Sequence, residues 1–232
     1  MNNQKYDIVL LDADETVFDF KKSEAYSFEK TLGEFGVEFN EERLKLYSDI
    51  NLYMWKALER GEVTRERLKT KRFDMFFEQI GVADIDTKLF NERYIHYLST
   101  CNFLLDGAYE FVEKLSKYCK LYLATNGLKI AQRGRLERSR IKPFLSGCYI
   151  SEEIGFSKPD KAYFEYILTD IKAEDKSRVI ILGDSETSDM QGGKNGGIKT
   201  CLYNPNNNEY NKDLCDYSVG NYDEFFDILF GK

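Results

Sequence analysis

The chain has 232 residues, 42% of them hydrophobic, which suffices for one large domain or a domain with an insert and argues against disorder. A formal net charge of −7 and a pI near 5.0 argue against nucleic-acid polymers and anionic membranes as partners. Small phosphorylated ligands stay open, because they need only a local cluster of donors.

The first apolar run, residues 6–11, reads as a buried strand. It ends on Asp12, and Asp14 follows one residue later. From residue 20 to about 100 there is no convincing strand. Helices are expected at 22–35, 40–60, 64–80 and 86–100, punctuated by Gly36, Gly61 and Gly81. Strands and helices then alternate. Strands are expected at 119–124, 147–150, 178–182 and 198–203, with a weaker one at 216–219. Helices are expected at 107–118, 128–139, 160–172, 187–195 and 221–230. This order predicts an α/β fold with a parallel sheet covered on both faces. It places a core over 1–17 and 104–232 and an inserted helical bundle over 18–103.

The N-terminus, Met1-Asn2-Asn3-Gln4-Lys5, has no apolar leader, and no run approaches a membrane span, so a cytoplasmic protein is expected. Five cysteines, an odd number without a C-x-x-C pair, suit a reducing compartment and buried thiols. His96 is the single histidine and lies in an aromatic helical segment, so it reads as a packed or surface residue. Catalysis would rest on carboxylates, lysine and hydroxyls.

Those groups recur at strand tips. Asp12 and Asp14 follow the first strand; an Asx-type turn is the bland alternative. The second strand ends in Thr125-Asn126-Gly127, a hydroxyl plus two backbone N–H groups that would open the next helix. That makes either an anion site or a simple helix cap. Lys158 precedes Pro159, which can take the first helical position; alone, such a lysine is usually a surface residue. The fourth strand delivers Asp184, with Asp189 in the first turn beyond, where it could also cap a helix. Ligands of open α/β sheets bind outside the carboxyl ends of the strands. One geometry unites these residues: magnesium among Asp12, Asp14 and Asp184, and a phosphate bridging the metal, Lys158 and the Thr125–Asn126 hydroxyl and amides.

Asp12-x-Asp14-x-Thr16, Thr125, Lys158 and Gly183-Asp184-x-x-x-x-Asp189 resemble, in order and context, the four motifs of the haloacid dehalogenase-like (HAD) hydrolases. A closer resemblance is to a phosphatase branch described as pyrimidine 5′-nucleotidases, through residues 12–20, 123–127 and 55–64. The resemblance implies a Rossmann-like core with an α-helical bundle cap inserted after the first motif. It implies that Asp12 is the nucleophile, forming an aspartyl-phosphate. Asp14 would protonate the leaving alkoxide, then activate water, and its carbonyl would bind magnesium. Thr125 and Lys158 would hold the phosphoryl group, Asp184 would bind the metal, and Asp189 would support the metal or Lys158. The implied partner is a small phosphorylated metabolite, above all a nucleoside 5′-monophosphate, with a sugar or other small metabolite phosphate as the alternative.

Asp14 argues against a dehalogenase, since a halide needs no proton and an alkoxide does. A mutase and a catalytically silent interaction module are weaker alternatives; the second would be signalled by loss of Asp12, Lys158 or Asp184. The glycine-rich run 191–200 is not a phosphate-binding P-loop, because Ile198 stands where the lysine belongs. These glycines should end the helix after the fourth motif. From the cap, Phe18, Trp55 and Arg72 are candidate substrate contacts. Phe18 is placed at the seam between cap and core; packing for Trp55 and a solvated face or ion pair for Arg72 are the bland readings. Aromatics of the cap, among them Phe20, Tyr53, Phe73, Phe76 and Phe77, could offer a flat base a stacking surface.

Overall fold

The structure, a computed structural model, describes residues 4–231; Met1–Asn3, part of the segment read as lacking a leader, lies outside them. Strand β1 (Ile8–Leu11) is followed by four long helices, α1 (Phe20–Glu34), α2 (Glu41–Glu59), α3 (Arg65–Gln79) and α4 (Thr87–Thr100). Each starts on a residue whose side chain takes an orphan backbone N–H: Asp19 from Lys22, Asn40 from Arg43, Thr64 from Arg67, Asp86 from Lys88 and Leu89. These helices form a cap around an aromatic centre of Phe28, Tyr47, Phe73, Phe76, Phe90 and Tyr94. Phe28 and Tyr47 stack at 4.2 Å, and Tyr47 and Phe73 at 5.3 Å. Phe73, Phe76 and Phe77 are therefore cap core, not a surface for a ligand.

The rest of the chain alternates as the pattern demands. It runs α5 (Ala108–Leu115), β2 (Lys120–Thr125), α6 (Lys129–Arg138), β3 (Gly147–Ile150), α7 (Ser151–Ile154), α8 (Lys161–Asp170), β4 (Val179–Gly183), α9 (Gln191–Gly196), β5 (Lys199–Tyr203), β6 (Tyr217–Val219) and α10 (Tyr222–Phe230). The strands form one sheet in the order β3-β2-β1-β4-β5-β6, every neighbouring pair parallel. Val9 and Leu11 of β1 pack under Phe111 and Phe225, while Leu10 faces Phe164 and Ile167 on the other side. Burial on both faces explains why the central strands are apolar without alternation.

Register sets the site. Leu11 lies level with Leu123 and Leu182, and Asp12 N donates to Leu182 O at 2.9 Å. The tips of β1, β2 and β4 thus end side by side. The two segments joining cap and core also run together: Asp19 N donates to Phe103 O, and Leu105 N to Val17 O. Phe18 bridges Leu104 and packs, fully buried, in the core cluster.

Several local expectations are corrected. α6 begins at Lys129, so Asn126 and Gly127 lie in the loop ahead of it and do not open it. Pro159 precedes α8, whose cap is Asp160, a better acceptor for the first free N–H. A π-helical turn, Glu186–Met190, comes before α9. Gly192, Gly193 and Gly196 lie inside α9, where Phe164 leaves no space for a Cβ at the first and third; only Gly197 ends the helix. Among the described residues, no helix is long and apolar enough to cross a membrane. The five cysteines are unpaired, and His96 is exposed on α4.

Candidate active site

Lys158 is the centre of the site and is 1% exposed, the opposite of a surface lysine. Its ammonium donates to Asp12 Oδ1 at 2.5 Å, Asp189 Oδ1 at 2.6 Å and Ala124 O at 2.8 Å. Burial would discharge it, but Asp12 and Asp189 prevail and raise its pKa, so it stays cationic. Asp189 is fully buried, and its other oxygen accepts from Ser185 N at 3.1 Å. This needs glycine at the end of β4, because a Cβ on Gly183 would stand 2.3 Å from Asp189 Cγ. The π-helical turn carries Asp189 back over the strand tip, a local detour common at functional sites.

Asp12, Asp184 and Asp189 each offer a carboxylate oxygen within 4.8 Å of the others. Burial pushes the Asp12 carboxyl up despite Lys158. Burial and the charge of Asp189 push Asp184 up to about 7, although the residue lines the cavity. Three carboxylates face one ammonium. Oxygen donors with surplus negative charge fit a hard divalent cation such as magnesium. Asp14 stands apart from this cluster. Its carboxylate turns to α6, where Gln132 Nε2 donates to Oδ2 at 2.7 Å and Arg135 pairs with Oδ1.

Thr125, 1% exposed, accepts Gly127 N at 3.1 Å through Oγ1 and is among the residues that line the cavity. The Asn126 side chain is committed to the backbone of Lys158 through two bonds. Any contact of Asn126 with an anion must therefore come from its backbone.

A cavity of about 1040 Å³ joins these residues to the cap. Trp55 and Arg72 line it, with Phe20. Phe18 does not, because its ring is packed under the Arg135 guanidinium, 4.6 Å away. Arg72 is 2% exposed and makes no direct ion pair among the described residues. It donates to Asn51 and Asn91, and Asn51 in turn donates to Glu24 at 2.8 Å, as does Ser48. Sequence reasoning missed Glu24, Ser48 and Asn51, along with Gln132 and Arg135. The available signal was a polar residue at helical spacing on an otherwise apolar face, as with Leu128, Ala131, Gln132, Arg135 and Leu136. It also missed the polar bridges that seat the cap. Arg65 donates to Asn126 O and Ser151 Oγ, Lys69 pairs with Glu152, and Lys56 reaches Thr187.

A parallel sheet with acid-tipped strands, a buried lysine and a helical cap define a hydrolase class. A haloacid dehalogenase-like hydrolase profile matches residues 6–197, and the chain belongs to that family. It is 33% identical over 226 residues to the pyrimidine 5′-nucleotidase PynA of Streptococcus pneumoniae, covering 97% of this chain and 95% of that one. It is 31% identical to the pyrimidine 5′-nucleotidase YjjG of Escherichia coli over 205 residues, 88% of this chain and 89% of that one. The HAD hydrolase YfnB of Bacillus subtilis is 30% identical, and its solved structure superposes with a TM-score of 0.92 over 97% of this chain and 99% of that one. That structure is described as bound to magnesium and as revealing interdomain movement.

Proposed function

We propose that this chain is a magnesium-dependent phosphatase of small phosphate monoesters, working through an aspartyl-phosphate, with pyrimidine nucleoside 5′-monophosphates as substrates. The chemistry rests on one observation: a buried ammonium held between two carboxylates at the tip of the central strand. The nucleotide preference rests on full-length similarity to two pyrimidine 5′-nucleotidases.

In this reading Asp12 attacks phosphorus in line, its charge and aim fixed by Lys158. Lys158 and the Thr125 hydroxyl, with the Asn126 backbone, bind phosphoryl oxygens and carry their growing charge. Asp14 gives a proton to the departing alkoxide. It then takes one from the water that opens the acyl-phosphate. Asp189 holds Lys158 in place. Asp12, Asp184 and the Asp14 carbonyl would hold magnesium, which when bound neutralises charge on the transferring group. Residues 18–103 form the cap that covers the site and excludes water.

The leaving group would meet Trp55 and Phe20 and the hydrogen-bonded group of Glu24, Ser48, Asn51 and Arg72, all of which line the cavity. A polar wall of that kind suits hydroxyls as well as a base edge. It favours sugar phosphates as the second reading, because most cap aromatics are spent on packing. The deciding measurement is kcat/KM for pyrimidine monophosphates, purine monophosphates and sugar phosphates with magnesium. A lead of ten-fold or more for sugar phosphates, about 1.4 kcal/mol of transition-state preference, would overturn the nucleotidase reading and leave the phosphatase chemistry standing.

A further inference from the structure

Asp14 is gripped at both oxygens from one face of α6. Gln132 and Arg135, three residues apart on that helix, donate to Oδ2 and Oδ1 respectively. Both are buried, Gln132 at 2% and Arg135 at 0% exposure. The Arg135 guanidinium rests on the Phe18 ring. Among the described residues its Nε and Nη2 find no hydrogen-bond partner, and neither does Gln132 Oε1. Each such orphan is destabilising, because its bond to water is lost and not replaced. An ion pair that buries the whole guanidinium while its carboxylate stays partly exposed is weak evidence for stability. Stability is therefore a poor account of why Arg135 and Gln132 stand here.

The surroundings are shaped to admit them. A Cβ on Gly127 would stand 2.2 Å from Gln132 Nε2, so the loop after Thr125 is bare where the amide crosses to Asp14. The same helix bears the cap. Leu128 and Ala131 belong to the cap's aromatic cluster, and a Cβ on Gly134 would stand 2.5 Å from Ser99 O of α4.

We infer that Gln132 and Arg135 are positioning residues that aim the Asp14 carboxyl at the leaving group, and that α6 ties this aim to the seating of the cap. The inference rests on the proton-transfer role proposed for Asp14. With one lone pair of each oxygen taken by α6, the free edge of a carboxyl that is 28% exposed is left facing the cavity, which Asp14 lines. Without the grip, the side chain swings and the proton is delivered from the wrong place.

The test is sensitivity to the leaving group. A p-nitrophenolate leaves without a proton; an alkoxide does not. kcat/KM reports steps only through the first irreversible one, here aspartyl-phosphate formation, so the later use of Asp14 on water drops out. kcat/KM is measured for p-nitrophenyl phosphate and for the better of uridine 5′-monophosphate and ribose 5-phosphate. Asp14→Asn should lose about a hundred-fold more on the alkyl ester than on the aryl ester. Gln132→Met and Arg135→Met, which keep bulk and the contact with Phe18, should show the same split at about ten-fold. Arg135→Lys should recover part of it. Gly127→Ala, which pushes a methyl into Gln132, supplies the same test if Arg135→Met does not fold. Equal losses on both esters, or none, alongside a clear split for Asp14→Asn, would overturn the inference. No split for Asp14→Asn would instead remove the role assigned to Asp14, and the inference with it.

Discussion

Asn126 and Lys158 hold each other at two points: Asn126 Nδ2 donates to Lys158 O at 2.8 Å, and Lys158 N donates to Asn126 Oδ1 at 2.9 Å. The loops after β2 and before α8 are thereby locked together, and the lock sits on the residue whose side chain reaches Asp12. Asn126→Ala should cost about 1–3 kcal/mol, because it strands a buried donor and acceptor. Asn126→Asp keeps the acceptor but loses the donor and should fall between. Thermal melts give the stability and steady-state kinetics the activity. A melt and a kcat/KM both unchanged in Asn126→Ala would show that the lock is idle.

Asp12→Asn should remove turnover by about four orders of magnitude or more, roughly 5.5 kcal/mol of barrier, since an amide forms no acyl-phosphate. The fold should survive. Lys158 keeps Asp189 and Ala124 O, and the replacement deletes a buried charge whose pKa is already pushed up. A circular dichroism spectrum and melt equal to wild type, beside an absent burst of aspartyl-phosphate, is the expected result. Measurable turnover in a clean preparation would mean another nucleophile.

Activity should vanish with chelator and return with magnesium, while calcium should restore it poorly. The ligands proposed for magnesium, Asp12, Asp184 and the Asp14 carbonyl, are all oxygen donors. Calcium's larger, looser coordination should spoil in-line attack at Asp12. Metal titrations of the chelated protein, read by p-nitrophenolate release, check this. Full rate in excess chelator is incompatible with the mechanism.

What the sequence discloses and what it hides divide along a physical line. Asp12, Thr125, Lys158 and Asp184 are legible because each ends an apolar run or sits just ahead of a helix, and a parallel sheet brings such ends to one edge. The central strands β1, β2, β4 and β5 are legible because burial on both faces leaves mostly apolar runs, whereas the half-buried edge strands β3 and β6 carry a weaker signal. The π-helical turn at 186–190 leaves no periodic trace, so the packing of Asp189 beside Gly183 emerges only in space. Phe18 reads as a seam residue from its place after the first motif, yet its ring turns inward under Arg135. The grip on Asp14 spans 118 and 121 residues of sequence, which no local pattern encodes. In the cap, one aromatic composition serves equally for a core and for a ligand wall, and packing takes most of it.

The cap's polar wall should trade stability for recognition, and Glu24 is where this is measurable. Glu24 is 5% exposed, and its pKa is raised by burial, against the hydrogen bonds from Ser48 and Asn51 and the charge of Arg72. A carboxyl raised on folding favours the folded state while it is protonated, below its unfolded pKa. That advantage fades as pH climbs through the raised folded value. Wild type should therefore lose stability over this window, and Glu24→Gln, which does not ionise, should not. The melting temperature of Glu24→Gln minus that of wild type should rise from acid to neutral pH and then level off. Asn51 can still donate to the new amide oxygen, and Ser48 can accept from its nitrogen, so the local packing need not change. The same variant should lose kcat/KM on the preferred phosphate ester by about ten-fold, an order of magnitude typical of one recognition hydrogen bond. It should spare p-nitrophenyl phosphate, whose aryl group has no use for the wall. A melting difference that is flat in pH would show that Glu24 is ionised at no cost. Equal losses on both esters would make the network a structural one.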